Sequence, residues 1–216
     1  MVDGYWYRRS QCLGCIGAER HANTVGWLAR HVGAEAAEAA GNPTQHAHQA
    51  MARLALRATD HVDNHGRRKV RVVAITGGVG SGKTTVAAAH VYTLKTTTDT
   101  RVMWVREGRL LRGMKTAHMD DETGVAARAM IERARHAPVL VVDEFGSWGR
   151  DGWTKKTLRV MSELLADRFE DGRLVTVVIG NESISWPDSR VASRFDGCGK
   201  YAVCEGVDLR SGGCDQ

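Results

Sequence analysis

The sequence predicts an α/β fold in which a mainly parallel, five-stranded sheet lies between two layers of helices. Short apolar runs alternate with longer amphipathic stretches, which is typical of parallel sheets built from strand–helix–strand units. The glycine-rich segment 77–84 joins the first apolar run to a helix, and a later run ends in two acids, Asp143 and Glu144. We expect this domain to span residues 66–216, with a small helical module in residues 1–65.

Length and composition bound the class of protein. The chain has 216 residues, 43% of them hydrophobic, which suffices for one α/β domain and a small appendage. Its net charge of +5 permits nucleic-acid binding but is equally compatible with an ordinary basic surface. No apolar run reaches the roughly 18 residues of a membrane span, and the start of the chain lacks a secretory signal. The odd number of cysteines, five, favours a reducing compartment, so we expect a cytoplasmic protein without a membrane partner.

The segment 77–84 fits the pattern G-x-x-x-x-G-K-[ST] of phosphate-binding loops. An apolar run precedes it and an alanine-rich helical stretch follows, which is the context that this motif requires. Backbone N–H groups of such a loop point at an anion, and the helix N-terminus adds partial positive charge. The predicted ATP-binding residues are Gly77, Gly78, Val79, Gly80, Ser81, Gly82, Lys83, Thr84 and Thr85. Lys83 is expected to reach the β- and γ-phosphates, and the Thr84 hydroxyl to ligate Mg²⁺.

Polar residues end two of the later strands. Asp143 and Glu144 follow a buried run, at the carboxyl end of a strand, where α/β sheets hold their ligands. Asp143 is suited to hold Mg²⁺, and Glu144 to orient and deprotonate an attacking water. Asn181 follows the next buried run and is expected to help to position that water. The two acids favour hydrolysis over phosphoryl transfer to a second substrate.

Cationic residues form two further patterns. Arg106, Arg109, Arg112 and Lys115 recur every third residue along a predicted helix, and such a row either follows a phosphate backbone or forms a solvated face. Arg194 lies on a short predicted helix, residues 187–195, that cannot easily reach the loop of its own chain. We expect this arginine to contact the γ-phosphate of a neighbouring subunit, so the protein should self-associate with ATP at its interfaces.

The N-terminal segment contains a half-site for a metal. Cys12 and Cys15 form a C-x-x-C pair, whose two thiolates can bind one Zn²⁺. His21 is the nearest candidate for a third ligand, with other histidines further along the chain. The alternative is a pair of unliganded thiols, and the sequence leaves both open.

The order of these motifs resembles the AAA+ ATPases of the DnaC/DnaI helicase-loader type, with the IstB transposition helpers as close relatives. Segment 77–84 matches their Walker A loop, residues 139–146 resemble their Walker B strand, and residues 188–195 resemble their box VII helix. The resemblance implies a sensor 1 role for Asn181, an arginine-finger role for Arg194 and no helical lid after the last strand. It departs from the family at Glu182, where an apolar residue is usual.

The resemblance implies a DNA-replication protein that hydrolyses ATP and loads a replicative helicase onto single-stranded DNA, with the N-terminal module binding the helicase. Two alternatives stay open. One is a transposition helper that binds duplex DNA and a transposase. The other is a nucleotide-gated DNA-binding adaptor with little turnover, against which Glu144 argues.

Overall fold

A computed structural model describes residues 13–41, 50–98, 100–146, 153–181 and 184–204. The sheet has five strands in the order β2-β3-β4-β1-β5, and every neighbouring pair is parallel. This confirms the predicted α/β architecture and makes the sheet wholly parallel. The strands are β1 (Val72–Gly77), β2 (Val102–Arg106), β3 (Val139–Asp143), β4 (Val175–Ile179) and β5 (Gly199–Cys204).

Helices cover both faces of the sheet. They are α1 (Leu13–Val32), α2 (Ala34–Gly41), α3 (Ala50–Arg57), α4 (Lys83–Thr97), α5 (Glu107–Thr116), α6 (Glu122–His136), α7 (Lys155–Glu170) and α8 (Ser189–Cys198), with a 3-10 turn at Ala58–Asp60. Successive strand residues point to opposite faces, so Val72 and Ala74 pack with α5–α8 while Val73 and Ile75 pack with α1–α4. The result is the expected three-layer sandwich. Among the described residues, no helix is long and apolar enough to cross a bilayer.

Side-chain caps explain where two helices begin. The sequence predicts a helix from Trp153, but α7 begins at Lys155 because the Thr154 hydroxyl accepts the Thr157 N–H in a capping box. The helix expected from Pro187 begins at Ser189, since the Asp188 carboxylate accepts the Val191 N–H at 2.9 Å. Both caps satisfy N–H groups that have no partner within the helix.

The N-terminal helices belong to the same hydrophobic core as the sheet. Leu28 of α1, Ala37 of α2 and Leu56 of α3 are buried in one cluster with Val73 of β1 and Val91 of α4. Burial against the sheet stabilises these alanine-rich helices, whose own propensity would leave short segments marginal in water. The domain boundary at residue 65 stays a prediction.

Three aromatic rings, here called the aromatic chain, run along the α7–α8 side of the sheet. The centroid of Phe145 lies 6.1 Å from that of Trp186, which lies 4.7 Å from that of Phe195. Such separations are within the range of favourable ring contacts. Phe145 directly follows Glu144, and Phe195 directly follows Arg194. The aromatic chain therefore connects two predicted catalytic positions.

One fully buried arginine, Arg168 of α7, ties α6 to β4. Its guanidinium donates to the Thr176 hydroxyl and to the carbonyl oxygens of Ala134, Arg135, Ala137 and Val175, at 2.6–3.0 Å. Burial lowers the pKa of Arg168 to about 9, so the side chain stays charged at neutral pH. These bonds satisfy carbonyls at the end of α6 that the helix itself leaves without partners.

Arg168→Met is expected to lower the free energy of unfolding by about 3 kcal/mol, because several buried carbonyls lose their donor at once. For a chain of this length, that corresponds to a fall in Tm of roughly 10 °C in a thermal melt. Arg128→Met is the matched control, since Arg128 also donates to two carbonyls, those of Ala117 and Met119, but is exposed. Equal Tm changes in the two variants would contradict the assigned role of Arg168.

Candidate nucleotide-binding site

The loop between β1 and α4 adopts a backbone that requires glycine. Gly77 has φ 147°, and a Cβ there would lie 2.2 Å from the Cys204 carbonyl oxygen on β5. Gly80 and Gly82 have φ values of 74° and 79°, in the left-handed region that side chains disfavour. The three glycines let the chain turn tightly from the end of β1 into α4.

The Lys83 side chain folds back onto this loop. Its ammonium donates to the carbonyl oxygens of Gly77 at 2.9 Å and Gly78 at 2.5 Å, and lies 3.5 Å from the Ser81 hydroxyl. The side chain is only 7% exposed, so its charge is concentrated at the start of α4, where the helix dipole is also positive. Lys83, Thr84 and Thr85 form the first turn of α4. This arrangement fits the phosphate groups of a nucleotide.

Asp143 is the last residue of β3 and is 7% exposed. Its Oδ1 accepts the Glu144 N–H at 2.9 Å. Burial raises the pKa of Asp143, and this effect outweighs the Glu144 N–H bond, which lowers it. The Glu144 charge raises the pKa further, and the more distant Arg106 lowers it. A buried carboxylate of this kind gains from a bound cation, so Asp143 and the Thr84 hydroxyl are chemically suited to Mg²⁺. No cluster of three or more His, Cys, Asp or Glu ligands occurs in the described ranges, and Mg²⁺ does not need one, since phosphates and waters complete its shell.

Glu144 has an unusual backbone conformation and an exposed side chain. Its φ of 58° is the only positive value at a non-glycine residue within the described part of the chain. Its carboxylate lies 3.7 Å from Arg106 Nε. This left-handed turn comes directly after the end of β3, and the Glu144 side chain is exposed there.

Arg106 is therefore placed differently from its sequence prediction. It is the last residue of β2, in register with Asp143, and not part of the cationic row on α5. Glu107, the first residue of α5, is fully buried and accepts the Gly146 N–H at 3.1 Å, which anchors the turn after the two acids. Sequence reasoning missed both roles, and the only signal was their position directly at the end of an apolar run.

Asn181 follows β4, which lies between β1 and β3 in the sheet. Two backbone bonds join the strand ends here, from Gly180 N–H to the Ile75 oxygen at 2.9 Å and from Phe145 N–H to the Ile179 oxygen at 2.7 Å. Asn181 itself is exposed at a bend. The phosphate loop, the two acids and the asparagine thus lie at the carboxyl ends of three adjacent parallel strands.

Arg194 lies away from the carboxyl ends of the strands. It bonds to Glu170, the last residue of α7, shortly before the amino end of β4. Arg190, one turn earlier, pairs with Asp188 at 3.1 Å. Neither arginine contacts the phosphate loop of its own chain among the described residues. This geometry agrees with the expectation that Arg194 acts on a neighbouring subunit, which stays a prediction.

The zinc half-site is only partly described. Cys12 lies outside the described residues, and of Cys15 only the backbone is described, in the first turn of α1. His21 Nδ1 lies 2.7 Å from the Tyr92 hydroxyl of α4, so one of its two ring nitrogens already has a partner. Zinc binding by Cys12, Cys15 and His21 therefore stays a prediction.

The chain has the fold of AAA+ ATP-binding proteins. The chain belongs to the family of IstB-like ATP binding proteins, whose family model matches residues 43–188. No curated protein sequence matches it. The family match, together with the solved structures described next, confirms the predicted resemblance to the DnaC/DnaI and IstB group of AAA+ proteins.

Solved structures that share this fold include three of low sequence identity. The DnaC helicase loader is 17% identical with a TM-score of 0.56, over 74% of this chain and 92% of that one. DnaI is 20% identical with a TM-score of 0.53, over 73% and 81% of the two chains. The replication initiator DnaA bound to AMPPCP and single-stranded DNA is 14% identical with a TM-score of 0.56, and the match spans 73% of this chain and 47% of DnaA.

Asp143→Asn is expected to stabilise the nucleotide-free protein by about 1 kcal/mol, since the amide keeps the bond to Glu144 N–H without a desolvated charge. The raised pKa of Asp143 means that the native state binds more protons than the unfolded state above about pH 4. The free energy of unfolding of the wild type should therefore fall as pH rises through the folded pKa, and less so in the variant. Thermal melts across pH, with and without MgATP, test this. The prediction would be wrong if Asp143→Asn had a lower Tm than the wild type without nucleotide. It would also be wrong if MgATP raised the Tm of both proteins equally.

Proposed function

We propose that this protein hydrolyses ATP and loads a replicative helicase onto single-stranded DNA. The observation that carries the proposal is the convergence of the phosphate loop, Asp143–Glu144 and Asn181 at the ends of three adjacent strands. Membership in an ATP-binding family and the shared fold with the DnaC helicase loader support it. The cytoplasmic location expected from the sequence stays a prediction.

In the proposed reaction, the loop N–H groups and Lys83 hold the triphosphate. Thr84 and Asp143 would hold Mg²⁺, which when bound supplies charge neutralisation for the triphosphate. Glu144 accepts a proton from water, and Asn181 orients that water toward the γ-phosphorus. ATP and water become ADP and phosphate. When ATP binds, before this step, Lys83 must exchange its bonds to the loop carbonyls for bonds to phosphate oxygens.

The reaction is proposed to be completed by a second subunit. Arg194 of one protomer would stabilise the transition-state charge in the site of its neighbour, once its bond to Glu170 is released. That bond is half-exposed, so its loss costs little. Assembly is thereby coupled to turnover.

Single-stranded DNA is the proposed nucleic-acid partner. Arg109, Arg112 and Lys115 are exposed along α5, where they can contact successive phosphates. The solved DnaA complex holds single-stranded DNA on a protein of this fold, which supports the proposal. The N-terminal segment 1–65 is the proposed helicase-binding region.

The test uses the full-length protein, the replicative helicase from the same source and circular single-stranded DNA. We expect the protein and ATP together to increase the helicase bound per circle, measured after removal of unbound protein. If the protein neither hydrolyses ATP nor changes helicase deposition, the proposal is wrong.

The family match favours a second candidate, a transposition helper that binds duplex DNA and a transposase. Affinities for duplex and single-stranded oligonucleotides of equal length, measured at the same salt concentration, separate the two. Preference for the single strand supports helicase loading. Preference for the duplex supports the transposition role.

A further inference from the structure

The sheet ends at β2 with one edge that no described strand covers. β2 pairs in parallel with β3, and it is the terminal strand in the sheet order. An open strand edge presents unpaired N–H and C=O groups that can bind another extended chain. This edge is therefore a potential site of strand addition.

A groove of about 640 Å³ runs beside β2, here called the edge groove. Residues 102–105 of β2 form part of its lining, with Met130 of α6 and Pro138 after it. Its volume lies within the range of roughly 300–1,000 Å³ typical of binding clefts. The five residues of β2 give a length of about 16 Å, enough to pair with a segment of similar length.

The rim of the edge groove is strongly cationic. Arg101 precedes β2, Arg109 lies on α5 and Arg133 lies on α6, and all three side chains are exposed. None of the three forms an ion pair with any residue in the described ranges. By contrast, His136 on the same rim already faces Glu132 at 3.4 Å. Three arginines from separate segments thus line one groove, and none of them is paired with a carboxylate of the described residues.

The aromatic residues of the edge groove are poorly suited to stacking with nucleic-acid bases. Trp104 is only 6% exposed. The ring of Trp27 stacks on His31 at 4.1 Å between centroids, and the Lys95 ammonium lies 4.8 Å from its centre. Single-strand binding grooves usually combine cations with open aromatic faces. This groove instead combines cations with a strand edge that no described strand covers.

We propose that the edge groove binds an extended acidic peptide segment of a partner protein, which adds to β2 as a sixth strand. Main-chain bonds to β2 would supply affinity, and carboxylates on the segment would face Arg101 and Arg133. Apolar residues at alternate positions would lie on the groove floor. The inference does not depend on ATP hydrolysis or helicase loading.

The experiment uses the full-length protein and a fluorescein-labelled heptapeptide of alternating valine and glutamate, with binding followed by fluorescence anisotropy. Two control peptides accompany it, one with lysine in place of glutamate and one N-methylated along one backbone edge. We expect the acidic peptide to bind and neither control peptide to bind. Equal binding of the N-methylated peptide would overturn strand addition, and no binding of the acidic peptide would mean that the arginines only protect the edge from aggregation.

Protein variants locate the site. Arg101→Glu with Arg133→Glu is expected to weaken acidic-peptide binding about tenfold or more, because like charges then face each other. Lys155→Glu with Lys156→Glu, an equal charge change at the exposed start of α7, should leave binding within about twofold. If the double variant does not fold, as judged by circular dichroism, Arg133→Glu alone is used and a weakening is still expected. Unchanged binding in the folded variant would overturn the site.

A competition arm separates peptide from nucleic acid. Unlabelled oligothymidylate of matched charge is titrated against the bound peptide. Little competition supports the peptide site. Full competition, together with oligothymidylate binding that also depends on Arg101 and Arg133, would overturn the proposal in favour of a nucleic-acid groove.

Discussion

Glu144→Gln is expected to lower ATP turnover by about 100-fold or more while ATP binding is retained. The amide keeps the size of the side chain but cannot accept a proton from water, and general-base catalysis contributes roughly 10²–10⁴-fold. The side chain is exposed, so the fold should be unaffected. Steady-state phosphate release and titration with a fluorescent ATP analogue measure the two quantities.

Glu163→Gln is the matched control for Glu144→Gln. Glu163 is also exposed and also faces an arginine, Arg159, but it lies on α7 away from the phosphate loop. Its replacement should leave turnover within about twofold. Equal turnover of the wild type and Glu144→Gln would instead support a nucleotide-gated adaptor that barely hydrolyses ATP.

Arg194→Ala is expected to lower turnover by about 10³-fold, with ATP affinity nearly unchanged, because an arginine finger acts mainly on the transition state. The Tm should change little, since the bond to Glu170 lies at the surface. Arg190→Ala on the same helix serves as the control and should keep its turnover. Kinetics at protein concentrations that permit assembly provide the measurement.

Mixing two inactive variants tests whether Arg194 acts between subunits. Lys83→Ala should not bind ATP but still carries Arg194, whereas Arg194→Ala keeps an intact loop. In a mixed assembly, the Arg194→Ala subunit would receive the arginine of its Lys83→Ala neighbour, so turnover should partly recover. No recovery in assemblies shown to be mixed would contradict action between subunits.

The strands and the motif order could be predicted from the sequence because both depend on local pattern. The apolar run before Gly77 and the run that ends at Asp143 each form a strand, and each meets its polar residues at the expected end. Helix starts were less accurate, since α7 and α8 depend on the side-chain caps Thr154 and Asp188. A cap moves a boundary by one or two residues without changing the periodicity.

Long-range placement could not be predicted from local pattern. The sequence does not indicate that Leu28 and Leu56 share a core with β1, since these contacts join residues far apart in the chain. Arg106 fits the threefold spacing of a helix but ends a strand instead, so that it faces Glu144. Arg168 looks like a surface residue of an amphipathic helix, yet the carbonyls around it make its burial favourable.

The aromatic chain would give the proposed assembly a means of coupling neighbouring sites. Glu144 serves the site of its own subunit, whereas Arg194 would serve that of its neighbour, and Phe145, Trp186 and Phe195 pack in a line between them. Closely packed rings transmit a displacement because they cannot be compressed independently. Any rearrangement of the turn at Glu144 on nucleotide binding would therefore displace α8, the helix that carries Arg194. The nucleotide state of one subunit would then affect the arginine that this subunit offers to its neighbour.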